Sequence, residues 1–144
     1  MLNSPWTSPS DPIPNKDAVG RRGEAVAARW LYSRGCRILY RNYRGPQGGE
    51  VDLVCRHGPV LAFVEVKTRT STAFGRPAAA VTPEKQALIS RGALAYLKLL
   101  RLPAAPPWRF DVVEVLLLPG QKPQVQWLQT AFTSADLRRH PKNR

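Results

Sequence analysis

The chain contains few acidic residues and little cysteine or histidine. Its 144 residues include 10 Asp and Glu against 22 Lys and Arg, so the formal net charge is +12. This excess favours a polyanionic partner, most commonly nucleic acid; the alternative is a genome-wide compositional bias. No apolar run reaches the roughly 18–20 residues of a membrane span, and the first 15 residues contain no hydrophobic signal region. We therefore expect a cytoplasmic protein that does not associate with membranes.

The scarce cysteines and histidines exclude several kinds of site. Cys36 and Cys55 form no C-x-x-C pair, which argues against zinc. We expect two buried free thiols in a reducing cytosol, with a single disulfide as the alternative. His57 and His140 fall in a turn and a tail, and no Ser-His-Asp order occurs. The Gly-rich stretch 45–49 leads into a strand rather than a helix, so it predicts a hairpin turn and not a phosphate-cradling loop.

Both ends of the chain have the composition of tails. Residues 1–16 carry four prolines with Ser, Thr and Asn, which is typical of a flexible segment; Trp6 is its one residue suited to docking on the domain. Residues 137–144 form a basic tail. The stretch between them, 17–136, has the length of a single domain with one modest core.

Apolar residues at helical spacing predict two helices. The first spans 17–34, with Asp17 as its N-cap and Gly35 ending it. The second begins with Thr82 as N-cap and Pro83 at the first helical position. Both helices carry an apolar stripe, so we expect both to pack on a sheet.

Runs rich in β-branched and aromatic residues predict five strands. The three strands before the second helix should form an antiparallel meander. Since a helix separates the third and fourth strands, these two should be parallel and joined by a right-handed crossover. The fold class is therefore α/β, a mixed sheet with flanking helices in the order α-β-β-β-α-β-β, with the last strand at an edge. The predicted strands span 36–43, 50–56, 60–68, 108–118 and 125–128, and a brief terminal helix spans 133–138.

Charged residues interrupt the apolar pattern of the second and third strands, in the runs GEVDLV (49–54) and VEVK (64–67). Because strand side chains alternate between faces, Glu50 and Asp52 share one face, as do Glu65 and Lys67. Burying such charges is costly unless they are paired or bind a metal. Carboxylate oxygens suit a hard cation such as Mg²⁺, which activates water and neutralises charge on a phosphodiester.

The D…E-x-K pattern of Asp52, Glu65 and Lys67 resembles the PD-(D/E)-x-K motif of the restriction-endonuclease-like superfamily, although Val51 stands at the motif's proline. The chain most resembles the YraN-like family, bacterial predicted endonucleases that are similar to archaeal Holliday-junction resolvases. This resemblance implies a restriction-endonuclease-like core and cleavage of DNA, including branched or damaged DNA. The landmarks that carry it are GE (23–24), Asn42, GEVDLV (49–54), FVEVKTR (63–69), FG (74–75), Lys85 and RFDVV (109–113).

The resemblance also assigns roles to individual residues. Asp52 and Glu65 would be ligands of Mg²⁺ or Mn²⁺, and Glu24 and the backbone carbonyl of Val66 would complete the shell. Lys67 would orient the attacking water or stabilise charge on the reacting phosphate. By analogy, the protein would act as a two-fold homodimer. Candidate contacts with nucleic acid, DNA in the first place, are Lys85, Gln86 and Arg69.

Each of these charges also has a non-catalytic interpretation. Glu65 and Lys67 could form a salt bridge along one strand face, and Glu50 is favoured as a strand-end residue over a ligand. Asp111, on an apolar strand, needs a partner, and an arginine is as suitable as a metal. Lys85 is either a phosphate contact or a solvated residue. The alternative functions are a non-catalytic nucleic-acid-binding protein that retains the nuclease fold, and an interaction protein with an acidic partner.

Overall fold

The computed structural model describes residues 15–72 and 81–132. Residues 1–14 of the predicted N-terminal tail, the terminal helix predicted at 133–138 and the basic tail lie outside the described residues. The elements follow the predicted order α-β-β-β-α-β-β. They are α1 (Lys16–Ser33), β1 (Cys36–Arg44), β2 (Glu50–His57), β3 (Val60–Arg69), α2 (Pro83–Leu100), β4 (Trp108–Leu116) and β5 (Gln124–Phe132).

The strands form one mixed sheet in the order β1-β2-β3-β4-β5. β1, β2 and β3 are successively antiparallel, which confirms the predicted meander. β3 and β4 are parallel, with Val64 opposite Asp111 and Glu65 opposite Val112. β5 runs antiparallel to β4 at the edge, as predicted.

The two helices cover separate parts of the core, one on each face of the sheet. Each fully buried aliphatic or aromatic side chain contributes about 1.5–3 kcal/mol, so both clusters stabilise the sheet between them. One cluster contains Val26 and Leu31 of α1 with Val64, Val66 and Val113. The other contains Ile89 and Ala93 of α2 with Phe63, Phe110 and Val112.

Alternation along β3 sends successive side chains to these two faces. Val64 and Val66 point to the α1 face, whereas Phe63 points to the α2 face. Glu65 therefore lies on the α2 face together with Lys67, as the period of two predicts. This placement brings both charges towards the start of α2.

The helix ends follow the predicted signals with one correction. The predicted N-cap Asp17 is wrong: Asn15 caps α1, and its Oδ1 accepts the Ala18 N–H at 2.8 Å. Asn15 has the extended backbone of a cap, whereas Asp17 already lies in the first turn. Gly35 follows the helix at φ +91°, as predicted. Thr82 caps α2, with Pro83 as its first residue.

The strand ends deviate from the predicted boundaries more than the helix ends do. β4 stops at Leu116, two residues before the predicted end, and β5 spans Gln124–Phe132 instead of four residues. The β4–β5 register shifts between Phe110 and Val112, where Thr130 adopts φ +54°. β5 pairs with β4 on both sides of this bulge. Strand periodicity in the sequence does not predict the bulge.

Two further expectations concern single features of the chain. Cys36 and Cys55 are both free and buried, which confirms the predicted thiols. The stretch 45–49 is a hairpin turn, closed by the Gly45 N–H donating to the Gly49 carbonyl at 2.8 Å. Among the described residues, no helix is both long and apolar enough to cross a membrane.

Candidate active site

Two acidic side chains meet where β2 and β3 stop pairing. The antiparallel register runs from His57–Val60 to Leu53–Val64, and Asp52 and Glu65 are the next residue on each strand. There the Asp52 carboxylate accepts the backbone N–H of Val66 at 2.9 Å. The Asp52 side chain thus accepts a backbone N–H of β3, and this bond holds Asp52 beside Glu65.

Glu65 is a buried acid whose carboxyl oxygens do not all have hydrogen-bond partners among the described residues. The residue is 4% exposed, and its Oε1 has no hydrogen-bond partner within the described part of the chain. Burial, then the charge of Asp52 and a hydrogen bond with its carboxyl group, raise the pKa of Glu65 to about 8 against the opposing effect of Lys85 and Lys67. A buried carboxylate oxygen without a donor needs an explanation, and a bound cation is one.

Two lysines approach the same oxygen of Glu65. The Nζ atoms of Lys67 and Lys85 each lie 3.9 Å from Glu65 Oε2. Lys67 is partly exposed at the mouth of the site and has no shorter ion pair among the described residues. Lys67 therefore remains available to a substrate group, in agreement with the role that the family resemblance implies.

Lys85 is held more tightly than an isolated phosphate contact would be. Its Nζ donates to Glu50 Oε1 at 2.6 Å. Burial acts to lower the pKa of the Lys85 ammonium, but the hydrogen bond to Glu50 and the charges of Glu65, Glu50 and Asp52 raise it above its ordinary value. The same bond holds the pKa of Glu50 below its usual range. The structure places both side chains in the carboxylate cluster, and Glu50 serves as partner to Lys85.

A glycine contact positions Glu24 at the site. A Cβ on Gly23 would lie 1.8 Å from Thr68 Oγ1, so α1 approaches β3 as closely as only glycine permits. Glu24 then lines a cavity of about 140 Å³ together with Asn42 and Asp52. Burial and next the charge of Asp52 raise the pKa of Glu24, while a hydrogen bond with Asn42 acts to lower it.

Asn42 lines the same cavity, although sequence analysis identified it only as a landmark of the family resemblance. It has φ +52°, a conformation that asparagine adopts more readily than most residues. This unusual backbone could not be inferred from its β-rich surroundings. The structure thus adds a hydrogen-bonding partner for Glu24 from β1.

The remaining predicted residues make mostly structural contacts. Arg69 forms an ion pair with Glu114 on the neighbouring strand. Gln86 Nε2 donates to the Val81 carbonyl at 3.0 Å, which anchors the entry to α2. The Val66 side chain packs on the α1 face, and its N–H donates to Asp52. The role of its carbonyl as a metal ligand stays a prediction.

A second buried acid lies on β4. Asp111 is 0% exposed, and Arg109 Nε lies 2.9 and 3.1 Å from its two oxygens. Trp127 Nε1 and the Thr130 N–H each donate to it at 3.0 Å. Of the two partners considered for Asp111, the arginine is the one observed.

Comparison with known proteins identifies the family. Residues 23–115 match the model described as "Uncharacterised protein family UPF0102". The chain belongs to the UPF0102 family. This confirms the resemblance described above, because UPF0102 is the YraN family. The matched UPF0102 region contains Glu24, Asp52, Glu65 and Lys67.

Curated UPF0102 proteins from distant bacteria are similar to most of the chain. One from Trichlorobacter lovleyi is 50% identical over 120 residues, covering 82% of this chain and 92% of the relative. One from Nocardia farcinica is 44% identical over 123 residues, covering 83% of this chain and 93% of the relative. One from Chlorobaculum parvum is 43% identical over 126 residues, covering 82% of this chain and 94% of the relative. The family likeness therefore covers most of the chain, and the family model itself runs from within α1 to within β4.

The donor set of this UPF0102 protein fits a hard cation in part. Residues 15–72 and 81–132 contain no group of three or more His, Cys, Asp or Glu side chains arranged to hold a metal ion. Mg²⁺, however, usually retains several waters and takes only one or two carboxylates from the protein. Asp52 and Glu65 supply two carboxylates, and the unpartnered Glu65 Oε1 is a free ligand atom.

Proposed function

We propose that the protein is a metal-dependent endonuclease that hydrolyses phosphodiester bonds in DNA. The observation that carries this proposal is the buried Glu65, which lies against Asp52 with one oxygen unpartnered among the described residues. An acid with a strongly perturbed pKa and a specific charged neighbour is a candidate functional group. Asp52 and Glu65 would hold Mg²⁺ or Mn²⁺, and Glu24 and the Val66 carbonyl would complete the shell, as the family resemblance implies.

Each residue of the site would contribute a separate function. When bound, Mg²⁺ supplies Lewis acidity and lowers the pKa of a coordinated water. Asp52 is fixed by the Val66 N–H at 2.9 Å, so it offers an oriented oxygen. Glu24, hydrogen-bonded to Asn42 beside Asp52, is placed to accept a hydrogen bond from water in the cavity.

Lys67 would act on the reacting phosphate. Its ammonium lies 3.9 Å from Glu65 and is partly exposed, so it reaches both the buried acid and an incoming anion. A preorganised cation at this position stabilises negative charge that develops in the transition state. Lys85, bonded to Glu50, would instead keep the cluster electrostatically balanced.

The cations around the site support a nucleic-acid substrate. The net charge is +12, and the Arg44 side chain, which lines the same cavity as Asp52, is 80% exposed. Its only ion pair in the described part of the chain is a long one, 3.8 Å from Glu50. Exposed guanidinium groups next to a carboxylate pair would hold phosphates over the site. A homodimer would present two such sites to two strands.

One observation favours a second candidate, a nucleic-acid-binding protein that does not cut. The two ammonium groups 3.9 Å from Glu65 Oε2 offset part of its charge without any metal. In that case the cluster would be a structural ion-pair network, and the basic surface alone would bind nucleic acid. Binding would then occur without cleavage and would weaken steeply with salt.

Incubation with DNA tests the two candidates. Purified protein is mixed with linear duplex, single-stranded and four-way-junction DNA, in Mg²⁺, Mn²⁺ or EDTA. We expect cleavage with either metal, none in EDTA and none by Glu65→Gln. Glu84→Gln, which removes an exposed acid from the start of α2, is the matched control and should cut normally. Salt-dependent binding of DNA with no cleavage in any metal would instead support the second candidate.

A further inference from the structure

A second cavity lies between α1 and β1. Its volume is about 480 Å³, and it is lined by Ala28, Arg29 and Tyr32 of α1 and by Ile38 and Arg41 of β1. Tyr32 is 73% exposed, and both arginines are exposed. The cavity therefore offers one aromatic ring between two guanidinium groups, on a floor of small and aliphatic side chains.

Among the described residues, Tyr32 has no ring contact and the two arginines have no ion pair. Tyr32 makes no ring contact there, whereas the other exposed tyrosine, Tyr40, packs edge-on against Tyr43 at 5.4 Å. Neither Arg29 nor Arg41 forms an ion pair within 15–72 and 81–132. A single exposed tyrosine is ordinary on a protein surface, but here the ring lies in one cavity with two guanidinium groups that have no ion-pair partner among the described residues.

The cavity is a neighbour of the cavity at the proposed active site, because both are lined by residues of α1 and β1. Glu24, Ala28 and Tyr32 follow one another at intervals of four, so they share one side of α1. At a rise of 1.5 Å per residue, Tyr32 lies about 12 Å along the helix from Glu24. On β1, Asn42 bonds to Glu24, and the neighbouring Arg41 is close enough for its charge to act on the same carboxylate.

We infer that this groove binds an unpaired nucleotide of the substrate, with a base stacked on Tyr32 and flanking phosphates on Arg29 and Arg41. The inference rests on the proposed function, since it names the part of the nucleic acid that the enzyme reads. Aromatic rings flanked by cations are the usual platform for single strands. A base inside a duplex is stacked on both faces and has none left for the ring, so the substrate must be single-stranded here.

The helical rise between Glu24 and Tyr32 also indicates where the unpaired stretch would lie. About 12 Å of helix corresponds to three or four nucleotides at the 3.4 Å spacing of a stacked strand. The cut would therefore fall a few nucleotides from the stacked base. Ends, flaps and branch points of DNA provide such a stretch beside a duplex, whereas an uninterrupted duplex does not.

Binding measured without metal tests the stacking. Fluorescence anisotropy in EDTA follows labelled oligo(dT) and oligo(U) of about 12 nucleotides, within the usual site sizes, and a blunt duplex. Tyr32→Ala should weaken oligo(dT) binding about tenfold, the effect of losing one stacked base, and should leave duplex binding unchanged. Tyr32→Phe keeps the ring and should bind like the wild type. Tighter binding of oligo(dT) than of oligo(U) assigns the groove to DNA, and the reverse assigns it to RNA.

Controls on the opposite face of the sheet complete the test. Leu99→Ala removes another exposed apolar side chain, 61% exposed against 73% for Tyr32, from α2 and should have no effect. Arg41→Ala should lower the salt slope for oligo(dT) by about 0.7, more than Lys98→Ala on α2. Equal losses for single strand and duplex in Tyr32→Ala, or none, would overturn the inference. Because no cleavage is measured, a protein that stacks bases on Tyr32 but never cuts DNA contradicts the proposed nuclease and not this groove.

Discussion

Glu65 and Asp111 are both acids on buried strands of one sheet, yet their surroundings differ. They are 4% and 0% exposed. Asp111 receives four contacts of 2.9–3.1 Å from Arg109, Trp127 and Thr130. Glu65 has two ammonium groups at 3.9 Å and an oxygen with no partner among the described residues.

Under the proposed function, this difference separates a structural acid, Asp111, from a functional one, Glu65. A buried carboxylate whose oxygens all accept hydrogen bonds is stabilised as an anion, and it fixes the elements that donate to it. For Asp111 these are β4 and the bulge of β5. A buried carboxylate left partly unsatisfied is retained at a cost, which selection tolerates where a ligand completes the site. Under the proposed function, Glu65 is such a group.

The largest expected effect is the loss of stability when Asp111 is removed. Asp111→Ala leaves Arg109 Nε and the N–H donors of Trp127 and Thr130 without the acceptor that they share. Breaking a buried ion pair in this way costs roughly 3–5 kcal/mol. Urea denaturation should show this fall in the free energy of unfolding, while Glu65→Gln should show no fall. Equal losses in the two variants would erase the distinction between the two acids.

The next effect concerns catalysis at Lys67. If Lys67 acts on the reacting phosphate, Lys67→Ala should lower the cleavage rate by a factor on the order of 10²–10³. DNA affinity should stay near normal, because many other cations share the phosphate contacts. Lys67→Arg should not restore the rate fully, since the guanidinium is bulkier and cannot release its proton. The measurements are a cleavage time course and a filter-binding titration with one DNA at one salt concentration.

The control for Lys67 is another exposed lysine. Lys98→Ala removes a cation near the end of α2 and should change neither rate nor affinity by more than a small factor. Losses of affinity and rate in equal proportion would make Lys67 an ordinary phosphate contact.

A smaller effect is a dependence of stability on pH. The folded protein holds the proton of Glu65 up to about pH 8, whereas the unfolded chain releases it near pH 4.5. Raising the pH through this window therefore favours unfolding, and stability present below pH 4.5 is lost by about pH 8. In EDTA the free energy of unfolding should fall by at least about 1.4 kcal/mol, the value of one pKa unit. Glu65→Gln should flatten the curve, and Glu84→Gln should not; parallel curves for wild type and Glu65→Gln would contradict the assignment.

The sequence predicts the part of the site that depends on strand alternation. Glu65 and Lys67 share a face because of the period of two, and Asp52 joins them because β2 and β3 are consecutive strands of a meander. The element order and the end of α1 before Gly35 follow in the same way from local rules.

What local rules cannot predict depends on tertiary contacts. The bond of Lys85 to Glu50 joins residues 35 positions apart and follows from how α2 lies on the sheet. That placement depends on Gly49, where a Cβ would meet the Gly92 backbone nitrogen at 2.2 Å. At the bulge, the Thr130 N–H donates to the buried Asp111. Strand propensity does not predict this contact.

Calorimetric titration with Mn²⁺ tests most directly the claim that Asp52 and Glu65 form a metal site. The wild-type protein should bind Mn²⁺ with a single-site isotherm. Asp52→Ala removes one of the two carboxylates and should abolish this heat, while Glu84→Gln should retain it. Circular dichroism of Asp52→Ala confirms that the variant remains folded. Unchanged Mn²⁺ binding by folded Asp52→Ala would contradict the account.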